Sequence, residues 1–561
     1  MAAKLSRRNF IKLSVLSGTG VLIGCKSSGS KNISADARFD TIVKNGLVYD
    51  GNGTSPIKAD VGVKAGKITA IGDLGDSAYQ LVDAEGMTVS PGFVDIHTHT
   101  DTKLLVCPQG DSRIYQGITT DIGGNCGGSP FPRGKEYAAQ IQDKPASERR
   151  EWVELDEFFT TLEQNKLSIN YATYTGHGDI RAAIVGSNDV QPTTDQLKQM
   201  KALLQYTIEQ GSFGMSTGLE YAPGSYALEN ELTELCKVVA QCNALYATHM
   251  RNEDDHVEEA LNEAINTARN SGVNLQVSHL KAQNQANWHK APQLLKMIEG
   301  ASNSGINIMF DRYPYVAFST GLTSFMPLWA RQGNREDRLA RLKDKATAAK
   351  IDEYAQSRIK RLGGGKNVVI TSCRTQGNRM YIGKNLEECA DISGKNMLTF
   401  IRGILIEENL GVDMIGFAMS EDNIKLILSH PLGMPASDGS VYSPQGPLST
   451  DMPHPRSYGT FPRFLGKYCR DEGILGLSEA IKKITSVPAN RIGLRQRGQI
   501  QIGYYADIVV FNPGTIIDKS DYTDPHRFGT GISHVLVNGE WTIKGGQHTG
   551  AMGGMVLRKG A

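Results

Sequence analysis

The sequence predicts an α/β fold: a (β/α)8 TIM-type barrel with a small β-sandwich domain formed by both termini and an inserted subdomain. Apolar strand candidates alternate with helical stretches through the middle of the chain, which is the pattern of parallel βα units. Both ends instead contain short strands and turns. Between about residues 319 and 413 the chain is longer than one βα unit and rich in charged residues.

The middle of the chain supplies about eight strand candidates with helices between many of them. The candidate strands are 92–96, 119–122, 170–174, 214–216, 244–248, 274–277, 306–310 and 424–428, and the candidate helices are 152–164, 194–210, 231–241 and 256–271. Eight parallel strands close into a barrel whose chemistry lies at the carboxyl ends of the strands. Functional residues are therefore expected directly after these strands.

The two ends of the chain are expected to form one domain. Hairpin signals occur at Asn45-Gly46, at Ala65-Gly66 and, near the C-terminus, at Asn538-Gly539. Neither end has enough strands for a stable sheet of its own. The predicted divisions are a leader (1–24), a tether (25–38), a composite β-sandwich (39–90 plus 490–561) and a barrel (91–489) with the insertion at about 319–413.

The N-terminus resembles a bacterial export leader. Arg7-Arg8 is a twin-arginine pattern, and the apolar stretch 13–24 that follows is too short to span a bilayer. The sequence before Cys25 resembles the lipobox of lipoproteins, with an ordinary cleaved signal as the alternative. The prediction is export by the twin-arginine route to the periplasm, with lipidation of Cys25 as the only link to a bacterial membrane.

Composition excludes several other classes of protein. At 561 residues the chain is long enough for about two to four structural units. Its net charge of +1 gives no electrostatic case for binding nucleic acid. Seven of the eight cysteines lie outside the predicted leader and lack framework spacing, which argues against a disulfide scaffold.

Residues that commonly bind metals follow the predicted strands. His97 and His99 lie two apart in a strand, so both side chains point the same way, as a zinc site requires. His249 and His279 are 30 residues apart, about one βα repeat, which places them on neighbouring strands. Taken singly, each residue has an ordinary structural interpretation. The full set, from five strands in barrel order, is His97, His99, Cys126, His249, His279 and Asp438. These ligand types suit one or two zinc ions, with a carboxylate free to handle protons.

The motifs PGFVDIHTHTD, GNCGGSP, GMSTGLEYAPG, ATHMR, SHLK, DRYPY, SDG and HPRSYGTFPR resemble those of the amidohydrolase superfamily, and more narrowly of the N-acyl-D-amino-acid deacylase (D-aminoacylase) family. The resemblance runs from about residue 39 to 556. It implies a tight zinc site formed by Cys126, His249 and His279. It also implies a second, weaker metal position lined by His97, His99 and Asp438, with Asp438 as the catalytic acid and base. Many amidohydrolases use a carboxylated lysine after the fourth strand, but residues 214–221 contain no lysine.

The resemblance implies zinc-dependent hydrolysis of N-acyl-D-amino acids to a carboxylate and a free D-amino acid. Arg456 is the candidate to bind the amino-acid carboxylate, because guanidinium and carboxylate pair through two hydrogen bonds. The other substrate-binding candidates are Tyr315, Arg374, His177 and Glu220. Arg251 is expected to form an ordinary salt bridge. An acidic substrate side chain would need a further cation, for which Arg374 and Lys281 are candidates.

Two other functions stay open on the sequence. One is a different amide-cleaving amidohydrolase, such as a dipeptidase or cyclic amidase, although the missing lysine argues against it. The other is a non-catalytic, lipid-tethered binding protein, although the intact set of ligands argues against that. The sequence leaves the acyl group, the side chain, the number of metals and the oligomeric state open.

Overall fold

In a computed structural model, residues 39–133, 152 and 154–560 are described. The predicted leader, Cys25 and the tether to residue 38 lie outside the described residues. The strands in chain order are β1 (Phe39–Val48), β2 (Ile57–Lys64), β3 (Lys67–Gly72), β4 (Ala78–Asp83), β5 (Thr88–Pro91), β6 (Phe93–Asp95), β7 (Ile118–Gly123), β8 (Asn170–Thr173), β9 (Thr175–Gly176), β10 (Gly214–Gly218), β11 (Leu245–His249), β12 (Asn274–Val277), β13 (Ile308–Arg312), β14 (Ala317–Gly321), β15 (Val368–Cys373), β16 (Val412–Phe417), β17 (Gly433–Pro435), β18 (Ile508–Phe511), β19 (Ile532–Val537), β20 (Glu540–Lys544) and β21 (Gln547–His548).

The α-helices connect and cover these strands. They are α1 (Asp111–Ile114), α2 (Leu155–Asn165), α3 (His177–Ile184), α4 (Thr194–Glu209), α5 (Glu229–Gln241), α6 (Val257–Ser271), α7 (Ala291–Asn303), α8 (Leu328–Arg331), α9 (Arg335–Lys343), α10 (Lys345–Arg361), α11 (Leu386–Ser393), α12 (Met397–Glu407), α13 (Glu421–Ser429), α14 (Arg456–Arg463), α15 (Leu477–Ile484) and α16 (Ser486–Ile492). Among the described helices, none is both long and apolar enough to cross a membrane.

Both ends of the chain build one nine-stranded sheet. Its order is β21-β20-β19-β18-β5-β1-β2-β3, with β4 paired to β1. The antiparallel pair β18 and β5 joins the C-terminal strands to the N-terminal ones. Ala65-Gly66 and Asn538-Gly539 form hairpin turns, as predicted. Asn45-Gly46 does not: it lies inside β1, where the pairing with β2 shifts register in a bulge.

The barrel consists of eight parallel strand positions. β6, β7 and β8 form one run, and β9, β10, β11, β12, β13 and β17 form the next, with β8 and β9 separated only by Tyr174. The two runs close on each other through a parallel bridge between Thr98 and Gly439 and a hydrogen bond of 2.8 Å from Asp438 N to His97 O. The predicted (β/α)8 fold is confirmed.

The eighth strand lies later than predicted. Residues 424–428 belong to α13, where the buried residues Ile424, Ile427 and Leu428 follow helical spacing. The strand at this position is β17, which begins at Gly433. Glycine is needed there because a Cβ atom would lie 2.4 Å from the ring of Phe310 on the neighbouring strand.

The insertion is a small α/β layer that lies at the mouth of the barrel. β14, β16 and β15 form an antiparallel sheet in that order, and α8 to α12 surround it. It has a hydrophobic core of its own, which includes Ile351, Ile370 and Phe400. Several of its residues line the cavity at the barrel mouth, so the insertion shapes the site.

Candidate metal centre

The first candidate metal group is formed by Cys126, His249 and His279. Cys126 Sγ lies 3.6 Å from His279 Nε2, and His249 Nδ1 lies 3.0 Å from the same nitrogen. All three ligand atoms lie within 4.8 Å of one another. One thiolate and two imidazoles are ligands that zinc prefers.

A second candidate group lies beside the first and shares Cys126 with it. His97 and His99 approach Asp438 Oδ1 through their Nε2 atoms at 3.3 and 2.9 Å. Cys126 Sγ lies 3.3 Å from His97 Nε2. The six residues predicted from the sequence therefore converge at one place, with Cys126 positioned between two potential metal positions.

Three of these residues have a left-handed backbone, which is uncommon outside glycine. The φ angles are 52° at Cys126, 37° at His279 and 50° at Asp438. Such strain persists where the surrounding structure imposes it, and it is enriched at functional sites. At Asp438 the constraint is visible, because Ser437 N donates to Asp95 Oδ1 at 3.0 Å while Asp438 N donates to His97 O.

The charges in the cluster favour metal binding. Burial by itself raises the pKa of the Cys126 thiol, but the neighbouring His97, His249 and His279 lower it well below its ordinary value. Burial likewise raises the pKa of Asp438, but Arg456, His97 and His279 lower it well below the usual range. Thiolate and carboxylate are the forms of these groups that bind a divalent metal.

Three further carboxylates orient the histidines. Asp311 accepts from His97 Nδ1 at 3.0 Å, Glu253 lies 2.9 Å from His279 Nδ1, and Glu220 lies 3.2 Å from His249 Nε2. Such partners fix the ring orientation and raise the basicity of ligating histidines. Neither Asp311 nor Glu253 is predicted from the sequence as a partner of the histidines. Their positions could have indicated this role, because Asp311 is near the end of β13 and Glu253 follows β11 by four residues.

Glu253 has the most extensive contacts of the three. It is buried and also contacts Lys281 Nζ at 2.5 Å and Gln283 Nε2 at 2.8 Å. We expect Glu253→Gln to weaken zinc binding by about 10- to 100-fold, because an outer partner of a ligating histidine is lost. Competition with a chelator measures this, and the exposed Glu259→Gln is the control. Unchanged zinc affinity in Glu253→Gln would remove Glu253 from this role.

Five of the six residues predicted as metal ligands, His99, Cys126, His249, His279 and Asp438, line a cavity of about 710 Å³ at the barrel mouth. His97 is buried behind them. Arg456 lies in its wall, with Nη1 2.7 Å from Asp438 Oδ2 and its guanidinium 4.8 Å from the ring centre of Tyr313. Glu220 also lines the cavity. A carboxylate, a guanidinium group and a set of metal-capable side chains thus share one cavity large enough for a small molecule.

Tyr315 requires a correction. Its hydroxyl contacts Asp518 Oδ2 at 3.3 Å and Pro455 O at 3.5 Å, and it is not among the described residues that line the cavity. The strand ends at Arg312, and the chain then turns, with Tyr315 N donating to Tyr313 O. Tyr313 lines the cavity instead, and its hydroxyl is buried without a partner among the described residues.

Arg374 and His177 also lie elsewhere than predicted. Arg374 is exposed, with its side chain beside Gly411 and its backbone N–H on Glu408. His177 begins α3 and pairs with buried Glu231 at 2.8 Å. Neither Arg374 nor His177 is among the described residues that line the cavity.

The two other cations considered in the sequence have carboxylate partners. Arg251 pairs with Glu263 at 2.8 Å, as expected. Lys281 pairs with Glu253, as described above, and its Nζ lies 2.7 Å from His279 Nδ1. Lys281 is therefore held by Glu253 beside the metal-capable His279.

Comparison with known proteins agrees with this geometry. Residues 80–543 match the model of the amidohydrolase family, and residues 14–94 match that of the N-terminal domain of the urease alpha-subunit. The D-aminoacylase of Alcaligenes xylosoxydans xylosoxydans is 33% identical over 527 residues, which cover 93% of this chain and 98% of that relative.

Solved structures give the same result. The N-acyl-D-glutamate deacylase of Bordetella bronchiseptica, complexed with zinc and a phosphonate mimic of the tetrahedral intermediate, has a TM-score of 0.79 and 32% identity, covering 93% of this chain and 100% of that one. A D-aminoacylase studied for its binuclear metal centre has a TM-score of 0.78 and 33% identity, with the same coverage. The chain therefore belongs to the amidohydrolase family, within its group of D-aminoacylases and N-acyl-D-amino-acid deacylases.

Proposed function

We propose that this protein hydrolyses the amide bond of N-acyl-D-amino acids with the aid of zinc, releasing a carboxylate and a free D-amino acid. The observation that carries the proposal is a single cavity lined by Cys126, His249 and His279, by Asp438 and by Arg456. The relatives reported above, which are over 30% identical across nearly the whole chain, are deacylases of this kind.

The residues of the cavity supply distinct parts of the reaction. Zinc held by Cys126, His249 and His279 would polarise the amide carbonyl and make water acidic enough to ionise near neutral pH. Asp438 lies beside this group, 3.3 Å from His97 Nε2, and although burial raises its pKa, Arg456 and the neighbouring histidines lower it. It is therefore placed to accept the proton of the attacking water and then to deliver it to the leaving amine. Arg456 binds the amino-acid carboxylate, and the hydroxyl of Tyr313 is placed to donate to the same group.

We further propose one tight metal ion at Cys126, His249 and His279 and a second, weaker one at His97, His99 and Asp438. The grouping of the ligand atoms supports two adjacent positions that share Cys126. The binuclear metal centre reported for a related D-aminoacylase also supports the presence of two metal positions. Equilibrium dialysis of the metal-free protein against zinc should give two binding steps, and a single step of one equivalent would contradict the second position.

A panel of substrates tests the activity. We expect zinc-loaded protein to release amino acid from N-acetyl-D-amino acids, with little or no release from the L-enantiomers, from dipeptides or from hydantoins. Preference for hydantoins or dipeptides would favour a different amidohydrolase activity. Binding of N-acyl-D-amino acids without hydrolysis by zinc-loaded protein would favour a binding protein.

We also propose that the protein is exported by the twin-arginine route to the periplasm and is lipidated at Cys25. The pattern Arg7-Arg8 and the lipobox-like residues before Cys25 support this. A route that exports folded proteins suits an enzyme that acquires its metal before export. In a bacterial host, wild-type protein should incorporate labelled fatty acid and sediment with membranes, whereas Cys25→Ser should do neither. Equal sedimentation of Cys25→Ser would contradict lipidation.

A further inference from the structure

We propose that Arg358 binds a second carboxylate of the substrate, in addition to the amino-acid carboxylate held by Arg456. This inference rests on the proposed function and specifies its substrate class as N-acyl-D-amino acids with two carboxylates. It follows from the position of Arg358 in the insertion and from the lack of a carboxylate partner for its guanidinium, which contacts the ring of Phe325, among the described residues. It follows also from the way the other cations of the wall are already used.

Arg358 is a buried charge that faces the cavity. It lies near the end of α10, it lines the same cavity as Asp438 and Arg456, and only 9% of its surface is exposed. Its Nε is buried without a hydrogen-bond partner, and its guanidinium forms no ion pair with the residues that the structure describes. Burying a charge without a partner is costly, so an unpaired buried guanidinium indicates a partner that arrives with the ligand.

Three other cations of the cavity wall already have carboxylate partners. Arg251, Lys281 and Arg456 pair with Glu263, Glu253 and Asp438, respectively. The pairs of Arg251 and Lys281 leave little of their charge for a second carboxylate of the substrate. Arg456, beside Asp438, is already assigned to the amino-acid carboxylate.

The wall around Arg358 is positively charged. Arg331 also lines it, and its three guanidinium nitrogens donate to the backbone carbonyls of Met326, Glu220 and Ser324 at 2.6, 3.0 and 3.0 Å. Its charge is therefore not neutralised by a hydrogen-bonded carboxylate. Glu220 interacts electrostatically with Arg358, but its own carboxylate is held by His249. The guanidinium groups of Arg331 and Arg358 thus have one nearby carboxylate, that of Glu220, and this carboxylate is already hydrogen-bonded to His249.

The second carboxylate has two possible sources in the substrate. It can lie on the D-amino-acid side chain, as in N-acetyl-D-glutamate, or on the acyl group, as in N-succinyl-D-leucine. Both would present the same planar, bidentate acceptor to Arg358. The two sources can be separated because each has a neutral amide of nearly identical shape, N-acetyl-D-glutamine and N-succinamoyl-D-leucine.

The test compares kcat/KM within each acid and amide pair, using zinc-loaded enzyme. We expect the acid to be favoured by about 10- to 100-fold in at least one pair, as for a hydrogen-bonded charge. The pair that shows it identifies the source. Arg358→Gln should bring that ratio close to one by slowing the acid alone, and Arg358→Lys should retain part of it. Lys360→Gln, an exposed charge on the same helix, should leave the ratio unchanged.

Two results would overturn the role of Arg358: a wild-type ratio near one in both pairs, or an Arg358→Gln variant that slows acid and amide equally. Calorimetric binding of the same pairs to zinc-loaded Asp438→Asn protein separates this inference from the proposed hydrolysis. A charge preference in binding without turnover of any substrate by wild type would reject the hydrolysis and support the role of Arg358. Hydrolysis without a charge preference would support the proposed hydrolysis and reject the role of Arg358.

Discussion

Replacing Asp438 with asparagine is expected to lower kcat by about 10³-fold or more, with the tight zinc ion still bound. The loss follows because the amide of asparagine cannot accept the proton of the attacking water, and general acid–base catalysis contributes about 10²- to 10⁴-fold. Asparagine is the best replacement here, since it tolerates the φ of 50° at this position and keeps the size of the side chain. Cys126, His249 and His279, the proposed ligands of the tight zinc ion, are unchanged in this variant and are expected to retain it.

Steady-state kinetics on an N-acetyl-D-amino acid, together with zinc analysis of the same samples, measure this effect. Asp422→Asn, an exposed carboxylate on α13, is the matched control and should behave as wild type. An Asp438→Asn protein with near-normal activity would show that another group handles the protons.

Replacing Cys126 with serine is expected to remove both zinc and activity. Cys126 belongs both to the group with His249 and His279 and to the group with His97, His99 and Asp438. Although burial raises the pKa of its thiol, the neighbouring histidines lower that pKa well below its ordinary value. A neutral hydroxyl is a far weaker zinc ligand than a thiolate. Loss of a hydrogen-bond partner of a ligating histidine lowers metal affinity by about 10- to 100-fold. We expect the loss of the thiolate itself to lower zinc affinity by more than this.

The control for this variant is Cys242→Ser, a partly exposed thiol outside the described metal-capable groups. Zinc content after dialysis, thermal stability and kcat should all be affected in Cys126→Ser and unaffected in Cys242→Ser. Full zinc occupancy with normal turnover in Cys126→Ser would exclude the thiolate from the metal site.

The sequence predicts the barrel and the convergence of the six residues because both depend on local patterns. A histidine at the end of one apolar strand and another 30 residues later must meet when parallel strands repeat at that interval. His97 and His99 share a face because they are two residues apart in an extended segment. Distances of 3.0 to 3.6 Å among these side chains agree with that reasoning.

The structure differs from the prediction where the position of a residue depends on packing against distant parts of the chain. The alternation of DRYPY offers two tyrosines, and only the turn after Arg312 decides that Tyr313, not Tyr315, reaches the cavity. Residues 424–428 are apolar enough for a strand, but Ser420 caps them as a helix by accepting from Asn423 N. Arg358 lies in the insertion, whose packing against the barrel has no local signal.

Titration of metal-free protein with zinc, followed by hydrolysis of an N-acetyl-D-amino acid, tests the central claim most directly. The claim is that zinc held by Cys126, His249 and His279 activates the hydrolysis performed with Asp438. Activity should be absent without metal and should rise in proportion to zinc until about one equivalent is bound. Full activity in the metal-free protein, or no activity at any zinc content, would contradict it.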